Sequence, residues 1–130
     1  DQSMISSNPH KRQMNKFIWP LSTTVAKWQQ YTIRLGLKAK KDRDVVGSAS
    51  VDFLMYSGYI VMAYFWAQMA QAAYEKLATD VENRDFYRAK IKTAEFYFER
   101  LLPRTKSLAV TMMADPKTLM QLDEELLSFL

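Results

Sequence analysis

Glu95 and Glu99 form the carboxylate pair whose spacing best suits general acid–base chemistry, because residues four apart lie on the same face of a helix. A catalytic pair needs surroundings that drive its two pKa values apart. Basic side chains instead surround this pair in the sequence, at Arg88, Lys92 and Arg100. That mixture is typical of a solvated helix face, and we predict no catalytic role for either glutamate.

Other residue types that carry chemistry are scarce. The chain has no cysteine and one histidine, His10, which lies in a polar stretch. Thiol nucleophiles, thiolate metal sites and sites with two imidazoles are therefore excluded. The adjacent Glu124 and Glu125 form no better acid–base pair, and neither a phosphate-binding glycine pattern nor a Glu-x-x-His pair occurs. We expect no catalytic, metal-binding or cofactor-binding residue here, and the absence of cysteine favours a reducing compartment, the cytoplasm.

The positive charge lies mostly in the first third of the chain. Residues 1–43 hold nine Lys and Arg against two acidic residues, a balance of +7, whereas residues 44–130 hold nine against twelve, a balance of −3. The densest run consists of Lys38, Lys40, Lys41 and Arg43. Such a run could attract phosphate on a nucleic acid, a lipid or a nucleotide. Cations at the C-terminal end of a helix also offset its dipole, which suffices to explain the run.

Helical elements must position these residues, because three Gly and four Pro are too few for the turns of a β-sandwich or barrel. Residues 1–16 are polar and basic, and we predict a flexible lead-in there, followed by a single domain over 17–130. The first helix should begin at Phe17, with Pro20 in its first turn. Its apolar stripe recurs at spacings of four and three, at Phe17, Leu21, Thr24, Trp28, Tyr31 and Leu35.

A second helix is predicted from an N-cap at Ser48 or Ser50 to about Thr79. Its main stripe comprises Val51, Leu54, Met55, Gly58, Val61, Met62, Phe65, Met69 and Ala72, and much of the remaining circumference is apolar as well. The 22 uncharged residues between Asp52 and Glu75 are long enough to cross a membrane. Two glutamines and scattered tyrosines favour instead the central helix of a bundle, with Met55, Met62 and Met69 as core filling. So apolar a helix needs cover beyond two neighbours, from the C-terminal segment, another subunit or a further domain.

A third helix should open near Asn83 and continue across Pro103 with a bend about one turn before the proline. Its stripe is continuous, at Tyr87, Ile91, Ala94, Phe98, Leu101, Thr105, Leu108 and Met112. Asp115-Pro116 predicts a short helix through about Leu122, and Asp123 a last turn that ends at Phe129. The sequence thus predicts an all-α, up-and-down bundle of three long helices with one or two short C-terminal helices.

The second and third helices carry a set of elements with a family resemblance. These are FLMYSGYIVMAYFWAQMAQAAYEKLA over 53–78, FYRAKIKTAEFYFERLLPRTKSLAV over 86–110 and LMQLDEELLSF over 119–129. In this order they resemble the C-terminal helical domain appended to large bacterial acyl-CoA dehydrogenases. The resemblance covers about the last 80 residues, while residues 17–50 are compatible and carry little distinctive pattern.

The resemblance implies an enzyme larger than this chain. Such enzymes use FAD, and their catalytic carboxylate, flavin contacts and CoA-binding segments lie in a dehydrogenase body upstream of anything matched here. It implies a non-catalytic domain packed on that body or on a neighbouring subunit of a homo-oligomer. The charge pattern and the composition of the second helix separately predict no nucleic acid partner and no membrane span. The run at Lys38–Arg43 could then meet a CoA or FAD phosphate. The alternative is a free-standing basic helical module that binds a protein or a nucleic acid.

Overall fold

A computed structural model describes residues 11–79, 81–115 and 129 of the chain. Helix α1 spans Lys11–Lys41 and helix α2 spans Asp44–Leu77. Helix α3 spans Arg84–Phe96, a π-helix follows over Tyr97–Leu101, and helix α4 spans Arg104–Met112. No strand occurs in these described ranges. The predicted all-α class is confirmed, whereas the short helices predicted after Asp115 lie outside the described residues.

Helix α2 is the centre of the arrangement and runs antiparallel to both of its neighbours. In its N-terminal third, Phe53 stacks on Trp28 of α1, with 6.0 Å between ring centroids. On its other side, the Tyr97 hydroxyl donates a hydrogen bond of 2.6 Å to the carbonyl oxygen of Tyr59. We call residues 84–112, from α3 through α4, the C-terminal arm. The α1, α2 and arm segments form the predicted up-and-down bundle.

Helix α1 begins earlier than predicted, inside the segment expected to be a flexible lead-in. Met14 is fully buried and continues the stripe of Phe17, Ile18 and Leu21 by one turn toward the N-terminus. Burial of this side chain explains why residues 11–16 are helical. Pro20 consequently lies inside α1, so its predicted place in the first turn is wrong.

The connection between α1 and α2 is also shorter than predicted. Only Asp42 and Arg43 separate the helices, and the Asp42 carboxylate accepts a hydrogen bond of 2.9 Å from the backbone N–H of Asp44. This contact satisfies a donor that the start of a helix leaves open. The predicted N-caps at Ser48 and Ser50 are wrong, because both residues lie within α2.

A row of small residues forms the inward face of α2. Ala63, Ala67 and Ala70 are completely buried, and alanine there lets neighbouring helices approach closely. Large rings from the neighbours fill the space over this row, with Phe17 of α1 packed edge to face on Phe98 of the arm at 5.2 Å. A second cluster, around Tyr56 and Met112, forms the other end of the core.

The arm follows its predicted stripe. Ile91, Ala94, Phe98, Thr105 and Met112 are all buried, and the stripe continues across Pro103. The irregularity expected one turn before the proline is the π-helix, in which the Leu102 N–H donates to the Tyr97 carbonyl oxygen at 2.9 Å. The wider turn accommodates the backbone where proline can neither donate a hydrogen bond nor fit an ordinary helical turn.

The hydroxyl of Tyr97 ties the arm to α2, and its loss should be measurable. Burial raises the pKa of Tyr97 to about 12, and the hydrogen bond to Tyr59 is made in the core. Tyr97→Phe should lower the free energy of unfolding by about 1 kcal/mol in chemical denaturation, since a net hydrogen bond contributes about that much. Tyr87→Phe is the matched control, because the contact of Tyr87 with Phe86 is made by its ring, which phenylalanine keeps. Equal stabilities of the two variants would contradict the assigned role.

Candidate functional site

The carboxylate pair singled out from the sequence lines one open depression on the arm, together with Lys92, Arg100 and Arg104. Glu95 accepts a hydrogen bond from Lys16 of α1 at 2.5 Å and another from Lys92 at 3.3 Å. The bond to Lys16, outweighing partial burial, lowers the pKa of Glu95 below its usual 4.5. Glu99, one turn on, is exposed. A carboxylate held ionised between two lysines ties α1 to the arm, and its lack of a catalytic role stays a prediction.

The surroundings of Lys16 also shift the pKa of its own ammonium group. Partial burial opposes its charge, but the hydrogen bonds with Glu95 and Tyr74 more than compensate, so the pKa of Lys16 is raised above 10.5. Its Nζ atom also lies 5.3 Å from the centre of the Phe17 ring and 5.9 Å from that of Tyr74. The ammonium group therefore caps the end of the core where α1, α2 and the arm meet.

The described residues contain no cluster of metal-ligating side chains, and their glycines do not form a phosphate cradle. No group of three or more His, Asp or Glu side chains converges within them. The three glycines all lie on helix surfaces, have no positive φ, and would each accept a Cβ without contact within 4 Å. A phosphate cradle needs glycine backbone at close approach to the ligand, so these positions do not fit one.

The basic run lies where a helix dipole favours it. Lys38, Lys40 and Lys41 occupy the last turn of α1, and Arg43 follows in the connection to α2. Within the described chain these side chains stand at a helix end and do not line a helix face. The dipole therefore accounts for the run, and its contact with a phosphate group stays a prediction.

The most distinctive surface is an exposed apolar strip along α2. We call it the α2 face, and it comprises Val51, Leu54, Met55, Gly58, Val61, Met62, Phe65, Gln68, Met69 and Ala72. Its large side chains are between 38% (Met69) and 72% (Leu54) exposed. The prediction that Met55, Met62 and Met69 fill the core is wrong, because the alanine row takes the inward side. The exposed strip agrees with the expectation that α2 needs cover beyond its two neighbours.

The α2 face is too large to be incidental. A typical monomer exposes no apolar patch above about 300–600 Å² unless it has a partner, and this strip is about 33 Å long at 1.5 Å per residue. By length and composition α2 could also span a membrane, the single such helix in the described part of the chain, with 17% of its most apolar window buried. That is weak support for a span, since the central helix of a bundle passes the same criteria.

A groove opens on the opposite side, between α1 and α4, and Tyr56 of α2 contributes to its lining. Its volume is about 700 Å³, and its lining combines Trp19 and Tyr31 with the cations of Lys27, Arg34 and Lys106. The residues that line it include no acidic side chain. The bundle thus presents two different surfaces, one uncharged along α2 and one basic between α1 and α4.

Removing the charge of Glu95 should weaken the bundle by about 0.5–1 kcal/mol near pH 7, the range for a partly exposed ion pair. Because the folded pKa of Glu95 is lowered, its contribution is present above pH 4.5 and is lost as the pH falls below it. Glu95→Gln should therefore flatten the acid side of the stability profile measured by denaturation. Glu99→Gln, one turn away and without an ion pair in the described structure, should leave the profile unchanged. The same acid dependence in both variants would show that the pair does not form.

One comparison with known proteins identifies the chain. A family model described as "Acetyl-CoA dehydrogenase C-terminal like" matches residues 2–123. No curated protein and no solved structure matches. The match extends over nearly the whole sequence, including α1, where the sequence elements were least distinctive. The chain belongs to the family of acetyl-CoA dehydrogenase C-terminal-like domains.

Proposed function

We propose that this chain is a non-catalytic accessory domain at the C-terminal end of an FAD-dependent acyl-CoA dehydrogenase. In that enzyme the α2 face packs on the dehydrogenase body or on a neighbouring subunit. The single observation that carries the proposal is this uncharged, solvent-exposed strip on a domain of this family. A covered strip supplies binding free energy of about 25 cal/mol for each Å² of apolar surface removed from water.

The chemistry belongs to the dehydrogenase body in this proposal. FAD bound there would supply the oxidation of an acyl-CoA thioester at its α and β carbons, in the cytoplasm. The residues of the present chain would hold the body or its neighbour in place and enclose the substrate side from water. The paired Glu95 is consistent with such a division. It lines an open depression together with Glu99, Lys92 and Arg100, and its ion pair with Lys16 keeps it ionised, whereas acid catalysis needs a carboxyl group that stays protonated.

A charge on the α2 face should disrupt the complete enzyme and leave the isolated domain folded. Leu54→Glu replaces an exposed side chain, so the helical content of the 130-residue chain should not change by circular dichroism. In the enzyme that carries both parts, the same substitution should lower the melting temperature and the yield of the intact oligomer by size-exclusion chromatography. Burying one unpaired charge costs several kcal/mol.

Ile33→Glu is the control for that experiment. Ile33 is 64% exposed on α1, close to the 72% of Leu54, and is not part of the α2 face. It should leave both the oligomer and the melting temperature unchanged. An enzyme that tolerates Leu54→Glu as well as Ile33→Glu would overturn the proposed docking role.

If the chemistry belongs to the dehydrogenase body, FAD should bind to that body and not to the present chain. The 130-residue chain, purified alone and mixed with FAD, should emerge from gel filtration without the visible absorbance of a flavin. The complete enzyme, which also contains the upstream dehydrogenase body, should keep that absorbance. Stoichiometric flavin on the isolated chain would show that the cofactor site includes these residues.

A further inference from the structure

The α2 face has the spacing of a helix–helix seam. Its central line repeats in alternating steps of three and four residues, at Val51, Leu54, Gly58, Val61, Phe65, Gln68 and Ala72, with Met55, Met62 and Met69 along one edge. An average step of about 3.5 residues keeps a line of side chains facing a partner helix that crosses at about 20°. The occupant that matches this surface is therefore another long, uncharged helix.

The area of the strip is what one side of a stable dimer requires. Its seven large apolar side chains expose roughly 100 Å² each and about 700 Å² together, close to the about 800 Å² of one side of a standard interface. Among the described helices, only α2 is itself both long and uncharged enough to cover such a strip along its full length. This points to a self-complementary surface.

One register makes the face complementary to itself. Gly58 forms a notch in the strip, since an added Cβ there would meet nothing within 4 Å. Phe65 projects from the same face two turns further on and is 51% exposed. We propose that two copies of this chain pair antiparallel through their α2 faces, with Phe65 of each seated on the partner's Gly58. Leu54 then lies opposite the partner's Met69, and Val51 opposite the partner's Ala72.

The helix dipoles favour this direction over a parallel pair. Asp44 stands exposed at the start of α2, and Glu75 and Lys76 at its end, with no charged residue on the strip between them. Antiparallel pairing brings Asp44 near the partner's Glu75 and Lys76, whose charges cancel, and opposes the two helix dipoles. Parallel pairing would place each charge beside its own copy and both glycines opposite each other, which leaves a gap in the seam. The pairing rests on the proposed docking role of the α2 face and names its partner as a neighbouring copy.

Disulfide cross-linking in the 130-residue chain tests the direction, because the sequence has no cysteine of its own. In the proposed register Met62 lies next to the two-fold axis, whereas the two copies of Val51 lie about 32 Å apart. Met62→Cys should form a covalent dimer in a glutathione redox buffer, and Val51→Cys alone should form no more than the control Ile33→Cys. A mixture of Val51→Cys and Ala72→Cys should form the heterodimer, since a disulfide needs Cα atoms within about 7 Å.

A larger side chain at Gly58 tests the register, because it should weaken the dimer and leave the fold of each chain unchanged. Gly58→Leu meets no neighbour within its own chain and should raise the dimer dissociation constant by about tenfold or more in sedimentation equilibrium. Gly36→Leu, in the equally open surface of α1, is the matched control and should leave the constant unchanged. Both variants should keep their helical content by circular dichroism, because leucine is the better helix former.

Several results would overturn the pairing. They are an unsubstituted chain that sediments as a folded monomer, a Val51→Cys variant that cross-links to itself, or equal dissociation constants for the two glycine variants. Together with the Leu54→Glu experiment, these measurements distinguish failure of the pairing from failure of the proposed function. A monomeric chain whose Leu54→Glu variant still disrupts the complete enzyme leaves the dehydrogenase body as the occupant of the face. A chain that dimerises alone while its Leu54→Glu variant leaves the complete enzyme intact removes the docking role, and it restricts the pairing to the isolated chain.

Discussion

The close approach of two helices to the alanine row of α2 is the constraint on which the rest of this bundle depends. Ala63, Ala67 and Ala70 have no exposed surface, and the aromatic rings that cover them come from α1 and the arm. The contact of Phe17 with Phe98 closes the core over the row. Because alanine supplies little side-chain surface of its own, the large residues of α2 are left for the outer side. The exposed strip therefore follows from a core to which the central helix contributes mainly small residues.

Hydrogen bonds between segments accompany the apolar contacts of the core. The indole N–H of Trp28 donates to the Ser57 hydroxyl, which in turn donates to the Phe53 carbonyl oxygen. Tyr56 reaches a carbonyl oxygen of α1 in the same way that Tyr97 reaches one of α2. The bonds of Trp28, Tyr56 and Tyr97 each join two segments, so they fix the relative height of these segments where apolar contacts alone would permit sliding.

The sequence carries enough information to predict the all-α class, the path of the arm and the position of its irregular turn. In the arm, charged and apolar residues lie on opposite sides of the helix, and Pro103 marks the position of the irregular turn. Prediction fails at α2 because that helix is apolar on every side, and periodicity cannot distinguish an inward row from an outward one. The pattern predicts the large methionines of α2 in the core, whereas the close approach of the neighbouring helices leaves room only for alanine on the inward side. The start of α1 was missed because one buried side chain, Met14, lies within an otherwise polar segment.

The central position of α2 has a consequence for how the chain is made. Synthesis proceeds from the N-terminus, so α1 and α2 leave the ribosome before the arm, residues 84–112, is complete. During that interval α1 can cover one side of the uncharged stretch of 22 residues in α2, while the side that later faces the arm and the exposed strip are both open. The length of this stretch equals that of a membrane-spanning segment, so the last part of the domain to be made is the part that completes the cover of its most apolar helix.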